Sequence, residues 1–198
     1  KQGIIILYDI VTHQSQGIQQ PGSTDVQWFP SGVELLYQGP DKSGISQLFR
    51  IQTNGTEKKQ ITSNTEEPLH DVQLSPDGTY TLYTTPGASI SIIHTVELST
   101  GTVYEVKGGP LAKNYSPKWS PDSMRIVYSA TTFANSSYFS QVRTVGRRGE
   151  NDRIWAISDC FSTPVAWSPD GRKIAYLRGC TEQEFAQEMW ILELNHPV

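Results

Sequence analysis

The chain has 198 residues, of which 36% are hydrophobic and 18% charged, with a net charge of −4. This acidic balance argues against a broad basic surface for nucleic acid. No run approaches the roughly 20 apolar residues of a membrane-spanning helix, and the longest, Ile4–Tyr8, has the length of a strand.

In chain order, residues 3–11 read as a strand, followed by a polar turn and a weak strand near 17–20. A hairpin comes next: Gln27-Trp-Phe-Pro-Ser-Gly-Val-Glu-Leu-Leu-Tyr37, with further strands near 47–53 and 58–62 joined by the tight-turn pair Asn54-Gly55. The hairpin returns as Gln73-Leu-Ser-Pro-Asp-Gly-Thr-Tyr-Thr-Leu-Tyr83, followed by strands near 90–98 and 102–107. A third copy, Lys118-Trp-Ser-Pro-Asp-Ser-Met-Arg-Ile-Val-Tyr128, leads into a polar insertion at 132–137 and strands at 138–145 and 152–158. The fourth, Ala166-Trp-Ser-Pro-Asp-Gly-Arg-Lys-Ile-Ala-Tyr-Leu177, is followed by a strand near 188–194.

Aligned on Pro30, Pro76, Pro121 and Pro169, the copies are spaced by 46, 45 and 48 residues. Trp28, Leu74, Trp119 and Trp167 stand two residues before the proline and Tyr37, Tyr83, Tyr128 and Tyr176 seven after it, which gives each unit two large apolar anchors. Pro-Asp-Gly between them is turn chemistry: Pro presets φ, Asp folds back onto the backbone, and Gly takes positive φ at low cost. Several short strands in a unit of this length predict an all-β fold, a β-propeller of four-stranded antiparallel blades whose neighbours cover one another's faces.

Leu7-Tyr-Asp-Ile-Val-Thr12 matches Leu48-Phe-Arg-Ile-Gln-Thr53, the third strand of its unit, so the chain is expected to start in mid-blade, as a processed or excised piece. About four repeats with partial terminal blades are predicted. Two arrangements are open for residues 1–198. They form either a single propeller domain, with 3–11 closing a small ring as the outer strand of the last blade, or a section of a larger propeller. A section leaves apolar faces and strand edges exposed and is therefore prone to self-association.

The Trp-Ser-Pro-Asp-Gly unit at 167–171, echoed at 119–123, 75–78 and 28–32, resembles the repeat of TolB-type propellers. It is also similar to repeats in the propellers of prolyl-oligopeptidase-like serine peptidases and in many bacterial extracytoplasmic proteins. The resemblance covers almost the whole chain and implies architecture more than activity. It implies two roles: an extracytoplasmic scaffold with protein partners, or the gating propeller of a peptidase whose catalytic domain lies elsewhere.

Residues able to carry chemistry are sparse. Gly-x-Ser-x-Gly is absent, and His13, His70, His94 and His196 are scattered without metal-ligand spacing. Asp77, Asp122 and Asp170 recur one unit apart, too far for a shared proton, and are read as turn residues. No catalytic residue, metal or cofactor is expected. Arg143, Arg147, Arg148 and Arg153 cluster about one hairpin turn and are candidates for docking an anion or a protein, since guanidinium pairs well with carboxylate. Phe133 and Tyr138, flanking the insertion, are candidates for ligand contact. If Ser168 faces Lys173, the same register puts Cys160 opposite position 181, beside Cys180. A Cys160–Cys180 disulfide would contribute about 3 kcal/mol in the chain-entropy model and imply an oxidising compartment. The expected function is a non-enzymatic module for protein or ligand binding.

Overall fold

The computed structural model describes residues 3–65, 69–86, 91–106, 112–134, 137–179 and 187–194. All its regular elements there are strands. Blade I consists of β1 (Ile4–Tyr8) and β2 (Ser15–Gln19). Blade II holds β3 (Thr24–Trp28), β4 (Glu34–Pro40), β5 (Ser46–Gln52) and β6 (Lys59–Gln60). Blade III holds β7 (His70–Leu74), β8 (Tyr80–Pro86), β9 (Ser91–Glu97) and β10 (Thr102–Val106). Blade IV holds β11 (Lys113–Trp119), β12 (Arg125–Ala134), β13 (Ser137–Gly146) and β14 (Arg153–Ser158). Blade V holds β15 (Phe161–Trp167), β16 (Lys173–Gly179) and β17 (Gln187–Glu193). Each blade is an antiparallel meander, and a parallel bridge, Lys113↔Ser91, joins III and IV into one sheet.

The first hairpin of blades III, IV and V closes by one device. Ser75, Ser120 and Ser168 each donate a hydroxyl to the Asp two residues on, at 2.6, 2.5 and 2.6 Å. The same hydroxyls accept the amides of Tyr80, Arg125 and Lys173. The Asp77, Asp122 and Asp170 carboxylates accept the amides of Thr79, Met124 and Arg172. Serine and aspartate of the motif therefore act as a pair that satisfies backbone donors the tight turn would orphan. Blade II replaces them by Phe29 and Ser31, and its only counterpart is a long 3.5 Å bond from the Val33 amide to the Ser31 hydroxyl.

Every inner strand carries a one-residue bulge, at Thr24/Gln27, His70/Gln73, Tyr115/Lys118 and Pro164/Ala166. In the first three, Asp25, Asp71 and Ser116 take positive φ near 50°, a conformation that Asp and Ser tolerate better than branched residues. Pro164 stands at that place in blade V, and its ring fixes φ negative.

The core is divided into seams between successive blades. Ile5 and Ile18 meet Leu35, Tyr37, Phe49 and Ile51 at the I–II seam. Leu36, Leu48, Val72, Tyr83 and Val96 fill II–III. Tyr80, Leu82, Ile93, Trp119, Ile126 and Tyr128 fill III–IV, and Val127, Val142, Ile174 and Tyr176 fill IV–V. The period-two alternation of a strand explains the division: Leu35 and Tyr37 face back to blade I while Leu36 faces forward to blade III. Each of the four repeat tyrosines packs toward the preceding blade and is buried.

Three expectations need correction. The stretch 132–137 is not an insertion: β12 runs to Ala134 and β13 starts at Ser137, and Thr132↔Phe139, Phe133↔Tyr138 and Ala134↔Ser137 continue the ladder. Thr, Phe and Tyr are good strand formers, and their cross-strand pairing outweighs the polar Asn and Ser between them. The first strand ends at Tyr8 and not at residue 11, because the Asp9 carboxylate accepts the Val11 and Thr12 amides and turns the chain; β1 then pairs with β2 in a sheet of its own. Trp28 is 54% exposed whereas Trp119 is 8% exposed, so the tryptophan anchor of blade II is not buried like its counterpart.

Candidate functional site

The four arginines picked out in the sequence lie on β13, β14 and the turn between them, and three of them are bonded to partners. Arg143 forks onto Asp152 at 3.1 and 2.6 Å and donates to Gln141 at 2.6 Å. Asp152 also accepts the Tyr128 hydroxyl at 3.0 Å. Burial opposes the charge of Arg143, but the bonds to Asp152 raise its pKa above the ordinary arginine value. Burial, followed by the charge of Asp152, pushes the Tyr128 phenol well above its usual range.

Arg147 and Arg148 reach across the seam to blade III. The Arg147 guanidinium lies 4.5 Å over the Tyr80 ring and 3.6 Å from Asp77. Arg148 donates to the Tyr80 hydroxyl at 2.9 Å and to Glu97 at 3.1 Å, and the bond to Tyr80 leads the upward shift of its pKa. The backbone takes part as well, since the Thr95 hydroxyl donates to the Arg147 carbonyl at 2.7 Å.

Arg153 remains exposed, on the rim of a cleft of about 230 Å³ lined by Asp122, Met124, Arg125, Glu150 and Trp155 among others. One wall is fixed by the Trp155 indole, which donates to Thr144 at 2.7 Å, and Arg125 lies 5.2 Å from the ring centre of Trp167 in blade V. Asp122, part of the lining, has a lowered pKa: burial alone would raise it, but the Ser120 hydroxyl and the Met124 amide bring it below the usual carboxylate value. The cleft thus offers two guanidinium groups, two carboxylates and an aromatic wall, a surface that can grip a polar peptide side chain or an anion.

Phe133 faces Tyr138 in the backbone register of β12 and β13, and their side chains lie outside the described residues. Cys180 also lies outside them, so the proposed sulfur bridge is not described; Cys160 is buried immediately before β15. Among the described residues no group of three or more His, Cys, Asp and Glu could hold a metal ion, and no helix is long and apolar enough to cross a membrane. His94 is stacked on Tyr83 at 4.9 Å and bonded to Thr85 at 2.8 Å.

Composition missed the aromatic and apolar parts of the cleft. Met124, Arg125 and Trp155 look like ordinary strand and turn residues in the sequence, and only the pairing of β11–β12 with β13–β14 brings them together.

Successive four-stranded meanders, stacked face to face through apolar seams, decide the architecture. It is a β-propeller. The comparisons agree. The propeller is similar to a prolyl endopeptidase, with a TM-score of 0.69 and 16% identity over 88% of this chain and 28% of that one. It is similar to TolB from Acinetobacter baumannii, with a TM-score of 0.61 and 17% identity over 98% of this chain and 47% of that one. It also matches the propeller domain of the trilobed protease from Pyrococcus furiosus, with a TM-score of 0.69 and 11% identity over 98% of this chain and 61% of that one. The propeller thus spans less than two thirds of each of these three relatives. Neither a protein-family model nor a curated protein matches its sequence.

Proposed function

We propose that this propeller is the scaffold of an extracytoplasmic protein that binds a protein partner and carries out no chemistry of its own. The cleft beside Arg153 carries the reading. The neighbouring ionic groups are committed to architecture, Asp122 to its turn and Arg143, Arg147 and Arg148 to partners in blades III and IV. Arg153 is exposed at an aromatic-walled opening where a partner's acidic side chain would sit, with Arg125 held over Trp167 at the same opening. The likeness to TolB propellers supports the same class of role.

The extracytoplasmic placement is supported by the proposed Cys160–Cys180 bridge. The bulge at Pro164/Ala166 moves the register of the last hairpin by one residue, so that Phe161 faces Gly179. One further step along each strand of the sequence reaches Cys160 and Cys180.

The test is a photo-crosslinking residue placed at position 124, on the exposed lining of the same cleft, in the source cells, with exposed Lys42 as control. One discrete protein captured from 124 and not from 42, and lost on Arg153→Ala, is the expected result. Equal capture from both positions overturns the assignment.

A second reading is favoured by the likeness to a prolyl endopeptidase: the propeller gates access to a catalytic domain borne elsewhere. Hydrolysis of proline-containing peptides by the whole polypeptide would establish it and displace the first reading.

A further inference from the structure

An outermost strand leaves the amides and carbonyls of one edge without a ladder, and proteins keep such edges short, polar or covered. β2 is polar, with Gly17 at its centre, and β6 has two residues, one of them Lys59. β10 lies against the β13–β14 turn, since a Cβ at Gly149 would stand 3.1 Å from the Glu105 carbonyl oxygen. β14 has none of these guards. It runs for six residues, Arg-Ile-Trp-Ala-Ile-Ser, at the end of its sheet. Among the described residues no hydrogen bond reaches its main chain from the side away from β13.

A bulge turns both isoleucines of β14 the same way. Residues three apart on a regular strand point to opposite faces, but here the ladder slips: Val142 faces Ala156, Arg143 faces Ile154, and Trp155 is the extra residue between. Ile154 and Ile157 are therefore the cross-strand neighbours of Arg143 and Gln141, the row tied through Asp152 to Tyr128 of the III–IV seam. They are 46% and 65% exposed on the side of blade III, and a neighbour packed on blade V lies on the opposite face. That opposite face presents Arg153 to the cleft, beside Thr144 and the Trp155 indole.

We propose that the open edge of β14 is a strand-addition site for an extended segment of the protein partner, one in which apolar and acidic side chains alternate. This mode of binding rests on the docking role of the Arg153 cleft and extends it from one side chain to the partner's main chain. The outward amides and carbonyls of β14 supply affinity, and the two faces of the added strand supply selectivity. On the blade III side its apolar side chains stand across from Ile154 and Ile157, with Cβ atoms roughly 5 Å apart. On the other side a carboxylate reaches Arg153, which has no ion-pair partner among the described residues. The carboxylates of the cleft do not offset that charge in kind, because Asp122 already accepts the Met124 amide and Glu150 the Arg148 amide.

The probe is a capped peptide of alternating valine and glutamate, about ten residues long, added to the 198-residue chain. Hydrogen exchange is read at the β14 amides that are not bonded to β13. Two further peptides carry N-methyl groups, one on every valine and the other on every glutamate. Alternate amides of a strand point to opposite edges, so strand addition is abolished by one methylated set and survives the other. The expected result is protection of those β14 amides by the parent peptide, its loss with one methylated set only, and binding about tenfold weaker on Arg153→Ala and on Ile157→Ser. Protection elsewhere, no protection by any peptide, or equal tolerance of both methylated sets overturns the proposal. Equal tolerance with binding still lost on Arg153→Ala leaves the cleft as a side-chain site alone. Loss with one methylated set and no effect of Arg153→Ala removes the cleft from the interface and keeps the edge.

Discussion

The Asp77 amide of blade III donates to the Ser123 hydroxyl of blade IV at 2.9 Å, so the turn of one repeat is bonded directly to the turn of the next. Ser123 stands where the other copies have glycine, and it holds the positive φ, 62°, that this turn position takes in every copy. Ser123→Gly should relieve backbone strain yet lose the bond, with a net change in stability within about 1 kcal/mol. Ser123→Ala, which keeps the strain and loses the bond, should be the more harmful of the two by urea denaturation.

Gly78 should not tolerate a side chain. Its φ is +69°, and a Cβ there would stand 2.7 Å from the Pro30 ring of the preceding blade. Gly32 has a similar φ, +70°, with open space around it. Gly78→Ala is expected to cost about 1–3 kcal/mol and Gly32→Ala to fall at the lower end of that range. Equal melting shifts would show that backbone conformation, and not the contact with Pro30, sets the cost.

Stability should fall with acid in two stages. Burial holds the His94 pKa below its ordinary value, so the unfolded chain takes up the proton first and stability declines as pH drops below about 6.5. The motif carboxylates act lower. In Asp77 and Asp122 burial is outweighed by hydrogen bonds and nearby arginines, and in Asp170 the Ser168 bond leads; all three pKa values are depressed. Their contribution is complete above the unfolded carboxylate value near 4 and is lost as pH falls through the folded values. Denaturation midpoints against pH should show both stages, and His94→Phe should remove only the upper one.

Tyr80→Phe and Arg148→Met should be strongly non-additive. The phenol and the guanidinium share one bond that either substitution removes, so the double variant loses it only once, while the Arg148–Glu97 pair is lost with Arg148→Met alone. A double-mutant cycle with no coupling would mean that Glu97 alone holds Arg148.

For the cysteines the expected result is an intact mass lighter by two hydrogens than that of the reduced chain. Reduction, or Cys160→Ser, should then cost about 3 kcal/mol. An unchanged mass would remove the bridge and the support it lends to an oxidising location.

Strand order and the blade seams were legible because the repeat fixes them: Pro30, Pro76, Pro121 and Pro169 set the phase, and Tyr37, Tyr83, Tyr128 and Tyr176 are buried as their recurrence predicts. The end of the first strand was not legible in the match of Leu7–Thr12 to Leu48–Thr53, since Ile10 and Val11 copy the residue types of a strand but lie in the turn that Asp9 closes. The long hairpin over 125–146 was not, because Asn135-Ser136-Ser137 reads locally as loop while the pairing energy is non-local. The uses of Arg147 and Arg148 were hidden for the same reason, since Tyr80 and Asp77 lie some seventy residues earlier in the chain. The bulges were also invisible, because positive φ at Asp25, Asp71 and Ser116 leaves no composition signal apart from small polar residues.

Because each seam is built from two adjoining blades, the fold behaves as a row of coupled units, and an injury travels no further than its neighbours. The III–IV junction adds the Lys113↔Ser91 bridge, the Arg148–Tyr80 bond and the Asp77–Ser123 bond to its apolar contacts. The III–IV seam should therefore be the last of the four to lose its order under stress and the first to recover it.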